Sequence, residues 1–476
     1  MKYFRNILIY LVFLNCVFLS YPQSIREKID SLLKDQFFQT SIIAANIYDL
    51  NSSSYLYRVN SRLLLHPASN MKLLTSIAAL LYLGTEYQFI TSLYYDGDII
   101  GNTLFGNLYV EGGCDPEFQP QDLMRFVALI KNLNIESIEG NLYADISFKD
   151  SLHWGVGWMW DDDPSTDAPY MSALNINGNA VSVSLAPGNV GQPADLILNP
   201  SSSFFTTSNR TLTVFNKEEQ NFFITRNWIE RKNEIVALGR VSLEKDSNPA
   251  GDKSINVTNP EYYFLTLFKE TLERNGITVK GEPGIQNLPA FNKYVGSIPN
   301  PLMTVLMNVN KNSNNLSAEM VLYALAEKHF GRPATASNGI KIINELIRSA
   351  GHDPEKYRIV DGSGVSHYNL ISAELICDIL KYIYSNEKSV FSTLYETLPV
   401  AGIDGTLSKR MTVSSAFNKV RAKTGTLSGV SALSGYVNAA NGNLITFSIL
   451  IQNHVGQTSK AREIQDQICR ILADYK

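Results

Sequence analysis

Cysteine, histidine and long apolar runs are all scarce in this sequence of 476 residues. Of the four cysteines, Cys114, Cys377 and Cys469 lie well inside the chain, and an odd number cannot pair completely within it. We expect no disulfide framework, because a chain long enough for two or three domains can bury a large core without one. The net charge of −4 lacks the basic excess of nucleic-acid-binding proteins, so that class of partner is excluded.

The longest apolar run occupies residues 7–19 and follows two basic residues, Lys2 and Arg5. This order is typical of a secretory signal peptide, so residues 1–23 are predicted to be removed, with cleavage within 20–24. No later segment has the roughly 20 apolar residues that cross a bilayer, so no transmembrane segment is predicted in the mature chain. A lipid anchor at Cys16 is not predicted, because Phe-Leu-Asn before it lacks the expected small residue. The mature protein is expected outside the cytoplasm.

The two ends of the chain share one pattern. Alternating apolar residues predict a β-hairpin at 41–60 and another at 430–453, joined through Asn441 and Gly442. Amphipathic helices are predicted at 69–83 and 459–475. Residues 24–90 and 257–476 are therefore expected to form one α+β domain, with strands near both ends covered by helices. Residues 91–256, rich in short strand patterns and turns, are predicted to be one or two inserted, mostly β modules.

The six histidines are scattered, and none lies in a nucleophile elbow or a zinc-binding motif, so nothing supports a Ser-His-Asp triad. A serine paired with lysine is the other possibility. The pattern S-x-x-K begins at Ser31, Ser69, Ser242 and Ser385, so the pattern alone does not select a nucleophile. Ser69 and Lys72 lie at the predicted start of an apolar helix, where positions three apart share a face.

A lysine acts as a base only when it is neutral, and its ordinary pKa of about 10.4 prevents this in water. Burial and a second nearby cation both favour the neutral amine. Lys423 begins K-T-G within "VRAKTGTL", on or beside a predicted sheet edge. We expect Lys423 to lower the pKa of Lys72 and to attract a substrate carboxylate. Thr424 would hydrogen-bond that carboxylate, and Gly425 would let the substrate backbone approach closely.

A third motif, S-x-N, lies in the polar loop "NVNKNSNNLSAEM" before a predicted helix. Ser313 is expected to relay a proton to the leaving amine, and Asn315 to hydrogen-bond the substrate backbone. The same pattern also occurs at residues 254–256, and a helix N-cap explains such a triplet equally well. The inference therefore rests on the three motifs occurring together and in this order.

S-x-x-K, S-x-N and K-T-G in this order resemble the serine penicillin-recognising enzymes. Further blocks at 109–118, 172–188, 361–372 and 398–411 make the chain similar to the class C low-molecular-mass penicillin-binding proteins. These are D-alanyl-D-alanine carboxypeptidases and endopeptidases of the bacterial periplasm. The resemblance implies a transpeptidase-like domain, an antiparallel sheet flanked by helices, with a long insertion between the first two motifs. Cys114 departs from the family, which usually has glycine there.

The resemblance also implies roles for the site residues. Neutral Lys72 would take the proton of Ser69, which attacks the carbonyl of the penultimate D-Ala. Backbone N–H groups of Ser69 and Thr426 would stabilise the oxyanion, and Ser313 would return the proton to the leaving D-amino acid. Water would release the acyl group, whereas a β-lactam would remain bound. The implied partners are stem peptides ending in D-Ala-D-Ala and β-lactams, with no metal and no cofactor.

Four questions stay open at the level of sequence. A β-lactamase or esterase on the same domain, or an inactive peptidoglycan-binding protein, are alternatives to a peptidase. Carboxypeptidase and endopeptidase activity use the same chemistry, so the motifs do not separate them. The acidic run at 161–163 either receives an amine from the substrate or forms a solvated loop. The oligomeric state is not indicated.

Overall fold

The computed structural model describes residues 24–244 and 250–476, so the predicted signal segment with Cys16 lies outside the described residues. The helices are α1 Ile25–Leu32, α2 Met71–Tyr82, α3 Leu123–Asn132, α4 Pro260–Arg274, α5 Leu302–Met307, α6 Asn315–Phe330, α7 Ala336–Ser349, α8 Ala373–Asn386, α9 Lys388–Thr397 and α10 Thr458–Ala473. The strands are β1 Ile42–Asp49, β2 Ser54–Val59, β3 Gln88–Tyr95, β4 Asp98–Ile100, β5 Thr103–Phe105, β6 Leu108–Glu111, β7 Ser137–Ile138, β8 Leu142–Asp145, β9 Ala180–Ala186, β10 Asp195–Asn199, β11 Thr206–Val214, β12 Asn221–Arg226, β13 Glu234–Ser242, β14 Ala250–Asn256, β15 Thr278–Val279, β16 Pro283–Ile285, β17 Lys293–Pro301, β18 Val420–Leu427, β19 Val430–Asn438 and β20 Leu444–Gln452.

Both predicted hairpins form, and they join each other in one sheet. Its strand order is β18-β19-β20-β1-β2, and every neighbouring pair is antiparallel. Gly442 has φ of 85° in the turn between β19 and β20, a conformation that glycine adopts without steric cost. Because β1 pairs with β20, the two ends of the chain form one structural layer, and the predicted α+β class is confirmed.

The central sheet is buried on both faces. Successive residues of β1 alternate between two cores, with Ile43, Ala45 and Ile47 facing one and Ala44 facing the other. The first core is completed by α1 and α10, and the second by a group of helices that includes α2, α6 and α8. This second group contains the helices that carry the predicted site residues, so the site lies where helices meet the sheet.

The segment between α2 and α5 builds a separate core. Four sheets contribute to it: β10-β9-β14, β11-β13-β12, β15-β7-β5-β4 and β16-β8-β6-β3-β17. Helix α4 packs in this core through Phe264 and Phe268, and β17 does so through Ile298. The packed unit therefore runs from about β3 to β17, and it extends beyond the expected limits of 91–256 on both sides. The reason is that α4 covers the strands of the segment and β17 completes one of their sheets.

Within the described ranges, no helix combines the length and apolar character needed to cross a membrane. Cys114, Cys377 and Cys469 are buried and carry free thiols. Burial raises the pKa of the Cys114 thiol to about 12, so its reactive thiolate form is scarce at neutral pH. These cysteines contribute to the cores as small apolar side chains.

Candidate active site

Ser69 lies in a short 3₁₀ turn, Ala68–Asn70, which leads directly into α2. The predicted helix therefore begins two residues later than expected as an α-helix. The turn is held against the central sheet, because the Asn70 Nδ2 atom donates to Ser434 Oγ on β19 at 2.7 Å. Ala68, directly before Ser69, has φ of 47°, which is uncommon for a residue with a side chain. The packing of its surroundings thus fixes an otherwise unfavourable backbone at the candidate nucleophile.

Lys72 is fully buried and reaches back to Ser69. Its Nζ atom lies 3.0 Å from Ser69 Oγ, and it also donates to Asn315 Oδ1 at 2.5 Å and to the carbonyl of Ser363 at 2.7 Å. These acceptors direct the amine at the serine hydroxyl. The structure therefore brings the first and second predicted motifs into direct contact.

Burial lowers the pKa of Lys72 to about 8, against the opposing charges of Asp361, Glu319 and Asp167. A buried ammonium loses its favourable free energy of hydration, and the attraction of nearby carboxylates compensates only part of that loss. At mildly alkaline pH a large fraction of the protein therefore holds Lys72 as a neutral amine at hydrogen-bonding distance from Ser69. That is the state in which a lysine can accept a proton.

Lys423 is also fully buried and completes a second serine–lysine contact. Its Nζ atom donates to Ser313 Oγ at 2.8 Å and to the carbonyl of Thr424 at 3.0 Å. Burial, and secondly the charge of Lys72, hold the pKa of Lys423 well below its usual value. The charge of Lys72 thus acts on Lys423, whereas the sequence argument expected Lys423 to lower the pKa of Lys72; burial is what lowers the pKa of Lys72.

Gly425 makes a close contact that the sequence did not predict. A Cβ atom at this position would lie 3.0 Å from the backbone nitrogen of Ser69 and 2.9 Å from the carbonyl of Pro67. The close neighbour is therefore the turn that bears the nucleophile. This contact brings Thr426, the next residue of β18, beside Ser69, while the Thr424 hydroxyl donates to Thr406 Oγ1 at 2.8 Å.

The S-x-N loop is shaped by a π-helical turn, Asn308–Asn312, followed by Ser313 with φ of 62°. Asn314, between the two predicted site residues, provides the N-cap of α6 by accepting from the Ser317 backbone. Glu117, from the 109–118 block, accepts from Asn308 Nδ2 at 2.8 Å and from Ser317 Oγ at 2.8 Å. Capping is thus done by the middle residue, and Ser313 and Asn315 point to the two lysines.

These elements surround a cleft of about 990 Å³, lined by Ser69, Ser313, Asn315 and Thr424–Thr426 together with residues of the inserted segment. Asp161 and Asp162 from the acidic run also line it. Asp163 does not, because it is buried and forms an ion pair with Arg226. Two of the three acidic residues are therefore available to a bound molecule, and the third is structural.

Several residues of the site had no signal in the sequence. Glu319 is buried in α6 and accepts from the backbone of Ser363 at 2.8 Å, so it holds the carbonyl that binds Lys72. Burial, and secondly the charge of Asp361, raise the pKa of Glu319 to about 7. Arg462 of α10 lines the cleft and donates to Thr426 Oγ1 at 3.1 Å. Such contacts join distant parts of the chain, and no local spacing reveals them.

The other S-x-x-K serines lie elsewhere. Ser31 is exposed on α1, and Ser385 is exposed in the last turn of α8. Ser242 is buried at the end of β13, where its hydroxyl donates to the carbonyl of Phe215 at 3.1 Å. None of the three lines the cleft that holds Ser69.

The sheet, the helices around it and the paired serine–lysine contacts define a class of protein, the serine penicillin-recognising enzymes. Comparison with known proteins narrows this class. A D-alanyl-D-alanine carboxypeptidase of Actinomadura sp. (strain R39) is 32% identical over 466 residues, covering 95% of this chain and 85% of the relative. The D-alanyl-D-alanine carboxypeptidase DacB of Haemophilus influenzae is 28% identical over 416 residues, covering 87% and 85%. The crystal structure of penicillin binding protein 4 from Haemophilus influenzae matches with a TM-score of 0.82 at 26% identity, covering 94% of this chain and 99% of that one.

The sequence matches the D-Ala-D-Ala carboxypeptidase 3 (S13) family over residues 25–475, and the chain belongs to this family. The predicted resemblance to the class C low-molecular-mass penicillin-binding proteins is thereby confirmed. The predicted function class, a penicillin-binding peptidoglycan hydrolase with D-Ala-D-Ala carboxypeptidase activity, is confirmed as well.

Proposed function

We propose that the protein removes the terminal D-Ala of peptidoglycan stem peptides through an acyl-enzyme on Ser69. The observation that carries this assignment is the buried Lys72 amine, 3.0 Å from Ser69 Oγ and with its pKa lowered to about 8. Neutral Lys72 takes the hydroxyl proton as Ser69 Oγ attacks the carbonyl carbon of the penultimate D-Ala. The C–N bond to the terminal D-Ala then breaks, and water later hydrolyses the ester.

The proposed oxyanion donors are the backbone N–H groups of Ser69 and Thr426. The tight contact between Gly425 and the turn of Ser69 supports this role, because it holds both backbone segments at the same place. Ser313 returns a proton to the leaving amine, and Lys423, at 2.8 Å from Ser313 Oγ, assists it.

Substrate binding is proposed along two sides of the cleft. A terminal carboxylate hydrogen-bonds Thr424 and raises the pKa of buried Lys423 again, since an opposite charge favours the ammonium form. Asn315 binds the peptide backbone. A β-lactam mimics the scissile peptide, acylates Ser69 and leaves slowly. We also propose that residues 1–23 direct the chain to the periplasm, where this substrate lies.

The test compares wild type with Ser69→Ala. Both are incubated with fluorescent penicillin, then with purified uncross-linked and cross-linked muropeptides. We expect covalent labelling and release of D-Ala for wild type only. Equal labelling of Ser69→Ala, or no labelling of wild type, would reject the site.

Two outcomes of the same experiment separate the remaining activities. Cleavage of cross-linked muropeptides would add endopeptidase activity, which Asp161 and Asp162 favour because they can receive a substrate amine in the cleft. Rapid turnover of the fluorescent penicillin without D-Ala release would instead indicate a β-lactamase.

A further inference from the structure

Two tryptophans, the exposed Trp160 and the half-buried Trp228, form a pair on the inserted segment. Trp160 leaves 71% of its side chain in solvent, an unusual exposure for the largest aromatic residue. Its ring packs against that of Trp228, with centroids 4.9 Å apart and planes tilted by 31°. Ile229, in the same turn as Trp228, is 77% exposed and extends the apolar surface. Neither Trp160 nor Ile229 belongs to the hydrophobic core of the segment.

A buried polar network holds the two tryptophans together although they come from different parts of the chain. Arg226 and Asp163 are both buried and form an ion pair, which joins the strand before Trp228 to the loop after Trp160. Arg226 also donates to Asn256 Oδ1 at 3.0 Å, and the Tyr170 hydroxyl donates to Asp163 at 3.0 Å. A buried and fully bonded ion pair is a costly device that fixes geometry. Here it fixes the position of an aromatic pair that faces solvent.

The loop that carries Trp160 contributes residues to the lining of the cleft. Met159 and Asp161 line the cleft, and Trp160 stands between them in the chain. The same loop is joined to the S-x-N motif, because Asn315 Nδ2 donates to the carbonyl of Asp167 at 2.5 Å. With the terminal carboxylate at Thr424, the peptide leaves the cleft past Asn315 and this loop. In peptidoglycan, that end of the peptide is attached to the glycan strand.

We propose that Trp160 and Trp228 form a stacking platform for a sugar ring of the glycan strand that carries the stem peptide. The inference rests on the proposed function, which supplies the direction of the peptide. A pyranose ring presents a face of C–H groups that packs on an indole ring, while its hydroxyl and amide groups stay in water. An aromatic pair at the surface is suited to such a ligand, since it offers a large, rigid contact area at little loss of conformational freedom.

The experiment separates the platform from the catalytic site. Trp160→Ala and Trp228→Ala are compared with wild type and with Phe291→Ala, a control that removes a 92% exposed aromatic from the loop between β16 and β17. Binding of peptide-free oligosaccharides of N-acetylglucosamine and N-acetylmuramic acid is measured by calorimetry. Hydrolysis is measured with a free pentapeptide and with the same pentapeptide on a disaccharide. Labelling by fluorescent penicillin verifies folding of each variant.

We expect both tryptophan variants to bind the oligosaccharide about tenfold more weakly and to raise KM for the glycan-linked substrate by a similar factor. Hydrolysis of the free pentapeptide should change less than about twofold, and Phe291→Ala should match wild type. Unchanged oligosaccharide binding would overturn the proposal. So would equal losses on both substrates, which would indicate a contact with the peptide. If wild type cleaves neither substrate, the proposed function fails, and the oligosaccharide binding still decides the platform.

Discussion

The pH dependence of acylation tests the central electrostatic argument. Lys72 must lose its proton before it can accept one from Ser69, and burial lowers its pKa to about 8. About one tenth of the molecules then carry neutral Lys72 at pH 7 and about nine tenths at pH 9. The second-order rate constant of acylation should therefore rise about tenfold between these values and level off above pH 9. An exposed lysine of pKa near 10.4 would instead give a rise of about a hundredfold with no plateau.

Stopped-flow fluorescence with a labelled penicillin, from pH 6 to pH 10, measures this rate constant. Ser69→Ala serves as the control for non-specific labelling at each pH, and circular dichroism verifies that the fold persists across the range. A rate that continues to climb tenfold per pH unit beyond pH 9 would show that Lys72 is not desolvated as described. A rate independent of pH would show that Lys72 is not the base.

Three further predictions concern residues that position the site. Glu319→Gln keeps a hydrogen-bond acceptor for the Ser363 loop but removes a charge that raises the pKa of Lys72. The midpoint of the pH profile of acylation should therefore move to lower pH. An unchanged or higher midpoint would contradict this prediction. Gly425→Ala places a methyl group 3.0 Å from the backbone nitrogen of the nucleophile and 2.9 Å from the carbonyl of Pro67, so the turn must shift and acylation should slow by roughly tenfold or more. Normal acylation would refute the contact. Arg226→Met leaves buried Asp163 without its cation and should lower the free energy of unfolding by about 3–5 kcal/mol in urea titrations, with partial recovery when Asp163→Asn is added. A loss below about 1 kcal/mol would show that the ion pair does not hold the loop.

Much of the fold was predictable because its signals are local. The hairpins follow from alternating apolar residues and from turn residues such as Gly442, and the helices at 71–82 and 458–473 follow from helical periodicity. The limits of the inserted unit were less predictable. Helix α4 has the apolar stripe of any core helix, and nothing in that stripe states which of two cores it joins. Packing against the strands of the inserted segment decides this.

The candidate site divides in the same way. Ser69, Lys72, Ser313, Asn315 and Lys423 were identifiable because three short motifs occur in a characteristic order. Their electrostatic setting was not identifiable, since burial and the carboxylates around Lys72 depend on which segments fold over it. The contact of Gly425 with the turn of the nucleophile was not identifiable either, because it joins segments that lie far apart in the chain.

The sequence by itself therefore determined the set of reactive groups, the secondary structure that carries them and the family to which they point. Only the tertiary structure decided that the lysine beside Ser69 can lose its proton. The physical reason is that desolvation and hydrogen bonding act through space. Lys72 is a base because Asn315 and Ser363, hundreds of residues away in the chain, enclose it beside Ser69.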